Sequence, residues 1–593
     1  MSETKTCRQC NQSFIIEQED LKFYDRISPT FIGKKYQIPS PKLCRDCRTQ
    51  RRMSFRNERN LYNRVCDLCQ KNIVSVYSPD KPNVVYCQEC WWSDKWDAKD
   101  YGMEFDFNKS LSEQVSELIK KVPLPSSIVV NSVNCDYTNQ CVDSKNCYLC
   151  FRCGKTEDSM YSHLPLKCIG CVDCYATTEC QYCYECVDCQ NCYSSFFCRL
   201  SKNLSDCILC FNCIGCKNCF GCVGLRNVEY HFFNKKLSKY SYQQKVSEYW
   251  DGTYGSLEKA KERFNKLVIE TPQQAVQILH SQNAYGDYIT DSKDIKNCFD
   301  VEKTEKAKYS TGVEFARDVF DSDYIYYGEL CYENMSNSNS TNILFSLYSF
   351  DVTNMLYTFY CFNNSHDCFG CVGVKKCQYS VLNKKYSKEE YEKLVSKIIE
   401  HMKKTGEWGE FYQMKISPFG YNETIAHEYF ALKENQVLKL GARWQDNDFS
   451  FKYKGEFYEP LNIKDYSNNQ DEINKLLSGI IKCVVSNRPF KITPTELAFY
   501  IEHGIPIPTK HYNVRHKERL VLRNPRKLYN RVCMCEESGH NHPSFANLSI
   551  EASAQVEATE GKSGRCPNEF ETTYASDRPE KVYCESCYHK SII

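Results

Sequence analysis

From residue 135 to residue 222 the chain repeats with a period of three: 20 cysteines fall in this stretch, every one at a position divisible by three. The other positions in that phase are Ser144, Ser159, Ser162, Ser195, Ser201, Thr138, Thr156, Thr177, Pro165 and Leu204, so the phase demands a small side chain and not a thiol as such. A second rhythm lies on the first. Cys followed by Tyr or Phe recurs at 147, 174, 183, 192, 210 and 219, always separated by multiples of nine. Short β-prone units at a fixed step indicate a solenoid, and two nine-residue units suggest a coil of 18, with small residues inside and aromatics flanking. Cysteine serves in such an interior as a small, easily buried residue, a reading favoured over a metal-gathering ladder because Ser and Thr replace it freely.

The repeat is itself duplicated, since residues 218–236, NCFGCVGLRNVEYHFFNKK, match residues 367–385, DCFGCVGVKKCQYSVLNKK. The second copy keeps only six cysteines, so its fold does not depend on a ladder of ligands. Each copy runs into a helical pattern. In SKEEYEKLVSKIIEHMKK, Ser387 is placed to cap, Glu389 and Glu390 suit the first turn, and the helix is expected to cover an open solenoid end.

Outside the repeats the cysteines come in CxxC pairs. The pairs Cys7/Cys10 and Cys44/Cys47, then Cys66/Cys69 and Cys87/Cys90, each supply four thiolates, two per tight turn, as tetrahedral zinc requires. Four thiolates fill the coordination sphere, so these sites are structural. The end of the chain repeats its beginning: RNERNLYNRVC at 56–66 faces RNPRKLYNRVC at 523–533, and Cys66–Cys69…Cys87 has the register of Cys533…Cys566–Cys584. A third zinc is therefore expected on Cys533, Cys566, Cys584 and Cys587, with Cys535, His540 and His542 as loop residues in an insertion. The partner of the first module has decayed, with Cys7 aligned to Cys483, Cys10 to Ser486, Cys44 to His511 and Cys47 to Val514; it is expected to fold by apolar contacts, with His516 a weak rescue for a metal.

Two basic segments accompany these modules. Residues 43–65 carry Arg45, Arg48, Arg51, Arg52, Arg56, Arg59 and Arg64 against Asp46 and Glu58, seven less two, or +5. Residues 510–532 carry Lys510, Arg515, Lys517, Arg519, Arg523, Arg526, Lys527 and Arg531 against Glu518, eight less one, or +7. Arginine forks grip phosphates, and both duplicates keep the segment, which points to nucleic-acid contacts by these residues. Trp91, Trp92 and Trp96 follow Cys90; packing over the zinc knuckle is favoured over base stacking.

Composition narrows the classes. At 593 residues the chain exceeds one core, and about three to five domains are expected. Lys plus Arg (76) balance Asp plus Glu (75), so no global attraction to polyanions follows. There is no basic-then-apolar leader and no run of about 18 apolar residues, which suggests a soluble, cytoplasmic protein whose cysteines stay thiols and metal thiolates.

The double CxxC module, RNERNLYNRVC, the NCFGCVGLRN block and the closing VYCESC resemble a family of cysteine-rich zinc-ribbon proteins from uncultured small-genome bacteria, over essentially the whole chain. The resemblance implies no particular activity. Some members carry a CoA-transferase label, but no glycine-rich phosphate cradle or acid/base constellation is present.

The expected fold class is multidomain and mainly β, with terminal zinc-ribbon modules flanking two duplicated β-solenoid segments and capping helices. The segments are tandem zinc ribbons at 1–98, a helical linker at 99–126, solenoids at 127–236 and 274–384 separated by a helical segment at 237–273, a helical and linker region at 385–475, and a degenerate-plus-intact ribbon pair at 476–593. The expected function is that of a zinc-stabilised binding protein holding about three structural Zn2+ ions, with catalysis left open but less favoured than binding. Its expected partner is RNA or a ribonucleoprotein; a protein-interaction scaffold is the alternative, and metal storage or thiol redox work a remoter one.

Overall fold

A computed structural model describes residues 2–446, 453, 455–537 and 566–591. The protein is mostly β with short helices, and has cysteine clusters near both ends. In both repeat segments the chain pairs in parallel with itself twelve residues on. Partners include His163↔Tyr175 and Lys217↔Glu229 in the first copy, and Lys293↔Glu305 and Thr341↔Thr353 in the second. Single bridges such as Val133↔Lys145 and Tyr148↔Met160 carry the same step between the strands.

The step of 12 replaces the 18-residue coil expected from the aromatic rhythm. Residues nine apart stop three short of the stacked position, so the aromatic doublets spiral around the stack instead of piling up.

The period of three has a backbone cause. Tyr137, Gln140, Asp143, Asn146, Leu149 and Arg152, and the corresponding third residues onward, take φ near +50°. Each such residue turns the chain, and four turns fill one step of twelve. Asn and Asp tolerate this left-handed conformation best, and here they also hydrogen-bond up the stack: Asn134 to Asn146 at 3.2 Å, Asn146 to Asp158 at 2.8 Å.

The inward position asks for more than small size. The backbone N–H groups of Thr156, Cys171 and Cys174 donate to the hydroxyls of Ser144, Ser159 and Ser162, each one step back, at 3.1–3.2 Å. In the second copy Ser322 N–H donates to Ser310 Oγ, Ser346 N–H to Asn334 Oδ1 and Thr358 N–H to Ser346 Oγ. The same side chains donate in turn to carbonyls: Ser144 Oγ to Val142 O at 2.9 Å, Cys150 Sγ to Ser159 O at 3.3 Å and Cys168 Sγ to Thr177 O at 3.4 Å. Ile295, Val301 and Val313 hold the same phase in the second copy as apolar residues, but a buried N–H with no acceptor costs about 1–3 kcal/mol, which favours short side chains that both accept and donate at the other positions. This is why Cys, Ser, Thr and Asn interchange there.

One disulfide, Cys141–Cys153, joins inward residues one step apart, and the other cysteines are free thiols. A helix packs on the last parallel strand of each stack, Lys239–Tyr249 on Glu229–Phe232 and Lys388–Thr405 on Gln378–Val381. Ser387 caps the second helix, accepting from Glu390 N–H.

The chain divides into two units, each built from two separated segments: Met1–Ser127 with Val276–Phe449, and Ile128–Ala275 with Ser450–Ile593. The first module pair therefore packs on the second repeat, and the last module pair on the first. Among the described residues no helix is long and apolar enough to cross a membrane.

Candidate metal centres and the arginine segments

Each CxxC module is a strand hairpin followed by the start of a helix. In the first, Cys7 follows strand Glu3–Thr6, its N–H donates to Gln12 O, and Asn11 turns the chain with φ 60° back into Ser13–Ile16. Cys44 is the residue before helix Arg45–Met53, and Cys47 lies in that helix's first turn. The second module repeats the pattern with Cys66, Gln70 (φ 62°) and the start of helix Gln88–Trp92.

These turns bring the sulfurs of Cys7, Cys10, Cys44 and Cys47 within 4.8 Å of one another, and do the same for Cys66, Cys69, Cys87 and Cys90. Cys533, Cys566, Cys584 and Cys587 form a third such set. Sulfurs about 2.3 Å from one ion at tetrahedral angles stand about 3.8 Å apart. The contacts Cys10–Cys44 (3.6 Å), Cys69–Cys87 (3.8 Å) and Cys566–Cys584 (4.0 Å) lie close to that value. The donor set fits a thiophilic divalent ion, with all four positions taken by protein.

The surroundings favour thiolate at one cysteine of each set, while burial pushes Cys10, Cys87, Cys90 and Cys566 up. Hydrogen bonding from Cys47 pulls the Cys44 thiol down to about 5, and Cys533 pulls Cys584 down to about 4. Burial pushes Cys66 up, but the N–H groups of Cys69 and Cys87 outweigh it and leave it at about 7.

In the third set the hairpin pairs Tyr529–Val532 with Glu569–Thr572, and Cys533 N–H donates to Asn568 O as Cys66 N–H does to Lys71 O. Cys535 is buried beside the cluster and gives its carbonyl to Cys566 N–H, but does not join the set. His540 and His542 lie outside the described residues.

The decayed copy keeps the backbone without the ligands. Cys483 N–H donates to Arg488 O, Asn487 has φ 57°, and His511 stands before helix Tyr512–Leu522, its Nδ1 accepting from Asn513 N–H. The Phe490 ring packs edge-on against His511. His516 faces His163 and Tyr175.

The arginine segments are placed differently from a phosphate-facing surface. Arg48 pairs with Asp321 at 2.8 Å; Arg51 reaches Glu333 and Glu410 at 3.0 Å; Arg52, with no exposed surface, holds Asp323 at 2.8 Å and Glu333 at 3.0 Å. Arg56 pairs with Glu58 and lies over Tyr324, Arg59 is buried, Arg45 lies over Phe299 and Arg64 reaches Asp67.

The second segment repeats the arrangement. Arg515 lies 3.3 Å from Asp173; Arg519 pairs with Asp173 at 2.8 Å and Glu185 at 2.9 Å; Arg523 pairs with Asp188 at 2.8 Å. Arg526 and Arg531 are half-buried, Arg531 donating to Ala575 O, and the exposed Lys527 lies over Tyr529.

The charge of Arg48, Arg51, Arg52 and Arg56 in the first segment and of Arg515, Arg519 and Arg523 in the second is thus neutralised inside its own unit. Burial pushes the Asp321 carboxyl up to about 6 against the pull of Arg48 and Arg52. The carboxylates had a sequence signal that went unread: Asp321/Glu333 and Asp173/Glu185 are both twelve apart, one step of the stack, at left-handed positions. Arg48 and Arg515, and Arg52 and Arg519, hold equivalent places in the two module copies, so the duplicated basic segments persist opposite duplicated acidic pairs.

Trp91 is fully buried, edge-on to Phe362, and Lys375 Nζ lies 4.3 Å from its ring and 4.7 Å from that of Trp96. The trio packs the second module onto the repeat.

No family model matches the chain, and no curated protein does. Among solved structures, a provisionally assigned acetyltransferase of Desulfovibrio desulfuricans G20 aligns with 46% of this chain and 70% of its own at 10% identity. Its TM-score is 0.09, and it carries no argument about fold or function.

Proposed function

We propose that the protein is a zinc-stapled scaffold that binds a protein partner through the aromatic sides of two short β-solenoids. The observation that carries this is the opposite placement of two residue classes. The arginines face internal carboxylates, whereas two pairs of tyrosines face out of repeats whose other aromatics are mostly buried: Tyr182 and Tyr193 in one copy, Tyr326 and Tyr327 beside Phe315 in the other. Phe315 and Tyr327 of the second group border an open cleft of about 680 Å3 that Lys303, Glu305 and Arg317 also line. Exposed tyrosines at a cleft on a rigid repeat suit protein recognition, giving large contact area at little entropic cost.

Parallel pairing at a step of twelve, eleven or thirteen at a few places in the second copy, with left-handed turns at about every third residue, supports the solenoid. Zinc is the ion whose bond length and geometry best match three all-cysteine sets, and the filled coordination sphere suits a structural role. The RNA association expected from the basic segments draws little support from buried guanidinium groups.

Affinity capture with the full chain as bait, treated with nuclease and washed at high salt, tests the reading. A protein partner should survive both treatments and be lost when Tyr326 and Tyr327 are replaced by Ala. Capture that vanishes with nuclease or salt would return the RNA reading. Elemental analysis should find three zinc ions per chain, one for each set.

A further inference from the structure

The outermost pass of the first repeat holds a pair of thiols that the metal centres and the scaffold reading leave unused. Among the described residues, 133–139 form β-bridges only forward, through Val133↔Lys145, Asp136↔Tyr148 and Asn139↔Phe151, which sets the inward Cys135 opposite the inward Cys147. Six residues along the same two passes, Cys141 and Cys153 stand in the same stacked relation and are joined by a disulfide, with Cα atoms 4.6 Å apart. The stacking step therefore brings two inward cysteines into bonding range. Other stacked pairs, such as Cys171/Cys183 and Cys174/Cys186, are buried at both members. Among the described residues, Cys135 is the cysteine of this repeat that is not buried.

We propose that Cys135 and Cys147 form a dithiol site that exchanges with low-molecular-weight disulfides and closes a second covalent tie between the first two passes of the stack. In the first step the Cys135 thiolate attacks one sulfur of the small disulfide, forming a mixed disulfide and releasing one small thiolate. In the second, the Cys147 thiolate attacks Cys135 Sγ, forming the Cys135–Cys147 bond and releasing the other. Two electrons pass from the protein to the small disulfide, and the protons of the two cysteines end on the two released thiols.

The pair is suited to this division. Hydrogen bonding from Cys150 and Cys135 holds the Cys147 thiol down, which favours it as the resolving thiolate, while burial pushes Cys135 up. The first step should consequently quicken as pH rises from neutrality.

The test treats the full chain with oxidised glutathione, alkylates the remaining thiols and maps tryptic peptides. Cleavage after Lys145 and Arg152 parts Cys147 from Cys153, and a second digest after Tyr137 and Tyr148 parts Cys135 from Cys141 and Cys147 from Cys150, so the two ties are read apart. The expected result is a Cys135–Cys147 link in the wild type, a stable glutathione adduct on Cys135 in Cys147→Ser, and neither in Cys135→Ser. Stable glutathionylation of Cys135 in the wild type, no reaction at either residue, or links to unstacked cysteines would overturn the proposal. The wild-type map stands without the variants, should either fail to fold.

Discussion

At the scale of single residues, the inward position of the repeat and the buried arginines make opposite demands on a substitution. Ser346 accepts from Thr358 N–H at 3.1 Å and donates to Leu344 O at 3.0 Å, with no exposed surface. Ser346→Ala keeps the size and removes both bonds, so it should cost about 1–3 kcal/mol, whereas Ser346→Cys should cost less because the thiol still accepts and donates weakly. Chemical denaturation of the three proteins checks this; Ala as stable as Cys would mean that smallness is the whole requirement. Arg52 sits among Asp323, Glu333 and Asp321, and Arg52→Met leaves buried carboxylates without their counter-charge, an expected loss of about 3–5 kcal/mol. Lys527→Ala, at an exposed side chain, should stay within about 0.5 kcal/mol. The period of three made the inward residues legible, since one steric rule applies at every step. Their hydrogen bonds run to residues two, nine and twelve away, and nothing in a three-residue pattern reveals those partners.

At the scale of elements, the knuckle and helix start form one transferable unit. Cys566→Ser should lower the metal content from three ions to two and Cys535→Ser should leave it at three, because only Cys566 belongs to the cluster. Mass spectrometry under non-denaturing conditions reads both. The decayed module offers the converse experiment. Its hairpin bonds, the left-handed Asn487 and the extended backbone of His511 (φ −56°, ψ 143°) resemble those around Cys7 and Cys44, so ligands are what it lacks. Ser486→Cys, His511→Cys and Val514→Cys together should raise the metal content to four; an unchanged count would show that the backbone has drifted from the metal-binding form. These modules were readable from spacing because zinc geometry constrains residues close in sequence. The long insertion between Cys533 and Cys566 was readable as well, since closing a longer loop costs only about 0.6 kcal/mol per doubling.

At the scale of the whole molecule, the order along the chain is module, repeat, repeat, module, and the packing is crossed. Deleting residues 476–593 should strip Arg515, Arg519 and Arg523 from Asp173, Glu185 and Asp188, and expose residues 128–275 to protease, while residues 1–127 with 276–449 keep their protection. Limited proteolysis read by mass spectrometry checks this, and equal protection of both units would argue against the crossed pairing. Local covalent geometry wrote the three cysteine sets, the period of three, the duplication and the helix cap at Ser387 into the sequence, because each is a relation between residues near one another or a rule repeated at every step. The step of twelve depends on how successive passes stack, and the pairing of arginines with acids and the choice of which repeat each module covers are relations between surfaces far apart in the chain. They emerged only on folding, because a run of arginines reads alike whether water, phosphate or a buried carboxylate faces it.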